Sequence, residues 1–131
     1  MNDTFKRPGL WKRLRAFYFL WRGRVYRHYG IVRGDGLQFV LAVERYERAL
    51  SLNPLLEAAY LERGAILWRE LDRADEAVAD LSAALVLRPG WPEALFYRGL
   101  AYQAAGNYRA AMQDLTAYLA SDDRSWRDHA V

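Results

Sequence analysis

The residues able to do covalent or metal chemistry are few and scattered. The chain has no cysteine, which excludes a thiolate nucleophile, a disulfide framework and Cys-ligated zinc, and leaves the compartment unreadable from redox chemistry. His28 and His129 stand at opposite ends of the 131 residues, and neither has a neighbour at metal-ligand spacing. No Gly-x-Ser-x-Gly elbow and no phosphate-cradling glycine loop is present; Gly34-Asp35-Gly36 reads as a turn. The carboxylates Asp72, Asp75, Glu76 and Asp80 gather around a turn and a helix start, where they suit the helix macrodipole. They are expected to form a solvated face and not a calcium or catalytic site. The sequence therefore predicts no enzyme, no metal and no cofactor.

What remains is arginine chemistry. Arginine outnumbers lysine 17 to 2, a bias that suits bidentate anion recognition but also follows from codon usage alone. The net charge of +3 hides an asymmetry: residues 1–34 hold nine basic residues against one acid, net +8, and residues 35–131 hold ten arginines against fifteen acids, net −5. A basic arm on an acidic body follows. Arg63 and Arg98 precede Asp80 and Asp114 by 17 and 16 residues. That spacing predicts an ion pair across two antiparallel helices, with free anion-binding arginines as the other reading.

The elements that must position these residues show in the periodicity. A chain of this length is expected to form one domain. Arg63-Gly64 and Arg98-Gly99 are 35 residues apart, as are Pro54 and Pro89, so the chain repeats. Tyr60-x-x-Arg63-Gly64-x-x-Leu67, Ala77-x-x-x-Leu81-x-x-Ala84 and Pro89 recur as Leu95-x-x-Arg98-Gly99-x-x-Tyr102 and Ala111-x-x-x-Leu115. Apolar residues at three- and four-residue intervals give two amphipathic helices per repeat. Leu71-Asp72-Arg73-Ala74 and Ala105-Gly106-Asn107-Tyr108 supply the turns, and each proline ends a helix. Gly64 and Gly99 sit inside helical patterns, where glycine costs about 1 kcal/mol relative to alanine. Close approach of paired helices explains them, with Ala77, Ala84 and Ala111 as the small partners across the contact.

These residues resemble the tetratricopeptide repeat family. A weaker copy upstream, Tyr26-x-x-Tyr29-Gly30 with Ala42-x-x-x-Tyr46-x-x-Ala49 and Pro54, keeps the register. The expected fold is all-α: an antiparallel helix-pair solenoid of two clear repeats and one degenerate N-terminal repeat, preceded by a basic amphipathic helix. The division is an arm over residues 1–22, repeats over about 23–54, 55–89 and 90–123, and a tail over 124–131; residues 121–128, with Ser121 as a weak N-cap, frame a short capping helix. The resemblance implies a non-catalytic adaptor, scaffold or assembly factor that binds a partner segment in a concave groove. By register the groove is lined by Leu61, Ala65, Trp68 and Arg69 of the second repeat and Phe96, Tyr97, Leu100 and Gln103 of the third. Family members that clamp a C-terminal carboxylate use Asn and Lys at these slots. Here those slots hold Leu61, Ala65, Phe96 and Leu100, so the partner is expected to be an amphipathic helix, or the groove is covered by this chain's own arm.

The arm carries the second signal. Leu10, Trp11, Leu14, Phe17, Tyr18, Trp21 and Val25 recur at three and four, with Lys12, Arg13, Arg15, Arg22 and Arg24 around them and Pro8 at the start. Three readings stay open. The apolar face caps the first repeat, or it docks on an anionic membrane surface with Lys12, Arg13, Arg15, Arg22 and Arg24 as anion contacts. In the third reading the arm binds RNA as part of an accessory protein. The longest uncharged stretch near the N-terminus, residues 16–21, is too short for a signal peptide core or a membrane span. The expected location is the cytoplasm, with peripheral membrane association open.

Overall fold

A computed structural model of the chain describes residues 6–121, and the expected tail helix lies outside them. Among the described residues the chain is all helical: α1 Leu10–Arg33, α2 Gly36–Leu52, α3 Glu57–Arg69, α4 Ala74–Leu87, α5 Pro92–Ala104 and α6 Tyr108–Leu119. Local chemistry sets the boundaries. α1 stops at Gly34, whose φ of 64° only glycine adopts at little cost. Two residues later α2 has begun, its first turn capped by the Asp35 carboxylate, which accepts from the Leu37 amide at 3.0 Å. Pro92 opens α5, and Asn107 caps α6 by accepting from the Ala110 amide.

Helices pair as α1 with α2, α3 with α4 and α5 with α6, and the pairs stack into a tetratricopeptide-like helical solenoid. The pairing depends on the glycines. A Cβ on Gly64 would lie 2.8 Å from Leu81 Cγ, and one on Gly99 would lie 2.8 Å from Leu115. Close approach is thus the reason for both. The opposing side chains are leucines, however; Ala77 and Ala111 contribute their backbone oxygens. Arg63 donates to both Asp80 oxygens at 2.6 and 2.7 Å, and Arg98 to both Asp114 oxygens at 2.7 Å. The cross-helix pairs are formed in both repeats, with both aspartates buried.

The first pair departs from the expected register. A Cβ on Gly23 would meet the Tyr46 ring at 2.7 Å, the relation Gly64 has to Leu81. Phe19-x-x-Arg22-Gly23-x-x-Tyr26 therefore corresponds to Tyr60-x-x-Arg63-Gly64-x-x-Leu67. Gly30 faces Phe39, nearer the turn. The arm and the first helix of the first repeat are one unbroken helix, and residue 22 lies in its middle.

Candidate binding groove and the outer face of the first helix

The first helices of the three pairs, α1, α3 and α5, share a cleft of about 260 Å³. Its floor is apolar: Phe39, Leu61, Ile66 and Tyr97 are buried there. Its walls are charged, with Arg27, Arg69, Glu62, Glu70 and Glu93 around the mouth. Glu62 is already engaged. It accepts from Arg24 at 2.9 and 3.0 Å and from Arg27 at 2.7 Å, tying α1 to α3. Glu93 is half-buried, and burial, then the neighbouring Glu62 charge, push its carboxyl above the ordinary value. Burial and the Glu93 charge likewise raise the Tyr97 phenol.

Of the groove residues read from the sequence, Leu61, Ala65, Arg69 and Tyr97 line this cleft. Trp68 and Phe96 are half-buried and pack against the second core cluster. The Phe96 ring lies 5.1 Å from Tyr118 of α6. Leu100 is half-buried and Gln103 exposed, and neither lines the cleft. Arg27, Ile31 and Phe39 of the first pair were not among the expected lining. Their part in it follows from α1 serving as the first helix of a repeat.

The anion contacts read on the arm also divide. Arg24 is committed to Glu62 in a bidentate pair, which removes it from an outward anion-binding face. Lys12 and Arg15 are exposed and Arg13 half-buried. Arg22 donates to the Tyr18 hydroxyl at 3.0 Å and the Tyr26 hydroxyl at 3.1 Å. The hydrogen bond from Arg22, with a smaller contribution from Arg45, draws the Tyr26 phenol below its ordinary value.

The aromatic stripe does not cap the repeat. The face of α1 against α2 is made by Ala16, Leu20, Gly23 and Gly30, while Leu10, Trp11, Leu14, Phe17, Tyr18 and Trp21 are all exposed, Trp11 by 78% and Trp21 by 60%. At 100° per residue these two sets lie on opposite sides of the helix. On α2, Leu37 and Val40 are also exposed, while Phe39 between them is buried. Among the described residues no helix is long and apolar enough to cross a membrane.

Stacked helix pairs with a cleft formed by their first helices define a tetratricopeptide-like repeat fold, and known proteins agree with it. A crystal structure of MamA protein superposes with a TM-score of 0.67 at 21% identity, covering 79% of this chain and 52% of that one. A second MamA crystal structure gives 0.57 at 20% identity, covering 79% and 76%. Among curated proteins, the serine/threonine-protein kinase BSK2 of Arabidopsis thaliana is 27% identical over 104 residues, 77% of this chain. The chain spans only 21% of that relative's length, a likeness that carries no kinase activity to it. No protein-family model matches the chain.

Proposed function

We propose that this chain is a protein-interaction scaffold whose cleft receives an amphipathic helix bearing a lysine or arginine. The observation that carries the reading is Glu93: a half-buried carboxyl beside Glu62, at the rim of an apolar floor. A cation delivered there by a partner relieves the electrostatic cost of the ionised carboxylate, and Leu61, Ile66 and Tyr97 accept the partner's apolar anchors. The tetratricopeptide-like fold supports the choice of a protein partner. Two variants test it. Ala65→Trp fills the cleft from its wall, and Glu93→Lys reverses the charge at its rim. Affinity capture from the native host, with mass spectrometry, should recover a partner with the wild type that both variants lose while keeping helical circular dichroism. An identical set recovered by all three proteins excludes the cleft as the binding site.

A further inference from the structure

Arg22 and Arg45 break a rule that the other two helix pairs obey. Because Gly23 faces Tyr46 as Gly64 faces Leu81 and Gly99 faces Leu115, Arg22 corresponds to Arg63 and Arg98, and Arg45 to Asp80 and Asp114. The later pairs close the arginine with a buried aspartate. The first pair sets a second arginine there. The Tyr26 hydroxyl accepts from Arg22, and Arg45 lies over the Tyr26 ring at 5.8 Å. Arg45 has one carboxylate at hand, the exposed Glu44 of its own helix at 3.4 Å, a surface contact of little strength. The aromatic stripe runs alongside. From Leu10 to Trp21 it extends roughly 17 Å along the helix at 1.5 Å per residue, and the whole of α1 contains no acidic residue.

We propose that this outer face of α1 docks on an anionic lipid surface, with the aromatic stripe at the interface and Arg22 and Arg45 holding a headgroup phosphate. Tryptophan and tyrosine favour the level where hydrocarbon meets headgroup. On the helical projection, Arg15 and Arg22 flank the stripe on one side and Arg13 on the other, so cations meet the phosphate plane while the rings enter it. A lipid surface offers both chemistries in parallel along the length of a convex helix. The two arginines provide bidentate donors for phosphate oxygens. The proposal is independent of the cleft, which opens between α1, α3 and α5.

Flotation of the full chain with phosphatidylcholine vesicles, with and without phosphatidylserine, at low and high salt tests it. The wild type should float with the phosphatidylserine vesicles at low salt and be released as salt rises. Trp11→Ser combined with Trp21→Ser should abolish flotation with an unchanged circular dichroism spectrum, because both side chains are exposed. Arg45→Asp is the sharper variant. It restores the arginine–aspartate pair of the other repeats, so the fold should melt no earlier than wild type. Vesicle affinity should nevertheless fall about 25-fold, roughly fivefold per unit of surface charge. Absence of wild-type flotation at low salt overturns the proposal, as does equal flotation of the variants. It is also overturned if the stripe substitutions dissolve a dimer, or release bound RNA, without altering vesicle binding.

Discussion

Gly64 and Gly99 are the residues on which the later helix pairs close, and their neighbours set the cost of replacing them. In Gly99→Leu the new Cβ alone would lie 2.8 Å from Leu115, so α5 and α6 must separate. The expected loss is about 1–3 kcal/mol or more, read as a lower melting temperature; an unchanged melt removes the close-packing account. Glu93 makes a prediction of a different kind. Its folded carboxyl is raised above the ordinary value by burial and by Glu62, so its ionised form costs stability, and that cost is present above the folded value. Lowering the pH through the folded value toward the unfolded one removes the cost, because the folded state then binds the proton more readily. Glu93→Gln should therefore melt higher than wild type at neutral pH, with the gap closing toward about pH 4. A gap that widens on acidification shows that the carboxylate is stabilised in the fold.

At the scale of the element, α1 joins two roles the sequence had set apart. Its inner face covers α2, where Ala42, Tyr46 and Ala49 are fully buried, and its outer face carries the exposed rings. Deleting residues 1–22 removes Ala16, Phe19 and Leu20 from the first core cluster, so the truncated chain should melt well below the full one and lose helix from the first pair. A truncated chain that melts like the full one would mean that this half of α1 adds nothing to the core. The repeats, the turns and the Arg63–Asp80 and Arg98–Asp114 pairs were legible because a 35-residue period displays them twice. The first pair was not, for a geometric reason. Gly23 and Gly30 are seven residues apart, about two helical turns, so both face α2 and either can be taken as the repeat glycine. The period rule selects Gly30, and packing shows Gly23 in that role. The stripe left three readings open, because rings at three and four mark one face of a helix without saying what covers it, whereas small residues, Ala16 and Gly23, are buried on the opposite face. Phe96 does not line the cleft and lies instead against Tyr118 of α6, a contact between rings of different helices that no local pattern encodes.

Across the whole molecule the pairs touch in sequence order, so stability is shared between neighbours and not spread evenly. α3 and α4 have a pair on each side. The first pair reaches the second through Arg24, Arg27 and Glu62 as well as through the core that Phe39, Tyr46, Ala59 and Ile66 share. Among the described residues α6 packs on one pair only: it is 12 residues long, and Tyr108, Met112 and Leu119 are exposed. Its hold on the rest runs through α5, by Gly99 against Leu115, Arg98 on Asp114 and Phe96 against Tyr118. Hydrogen exchange should therefore be graded, slowest in α2, α3 and α4 and fastest in α6. The gradient can be challenged with the same substitution that tests the residue scale. Gly99→Leu should accelerate exchange in α5 and α6 by far more than in α1 and α2, because loosening the last pair leaves the first two stacked. If exchange instead rises by one factor in all six helices, the chain unfolds as a single cooperative unit, and a shallow solenoid of three pairs is too short to open from its end.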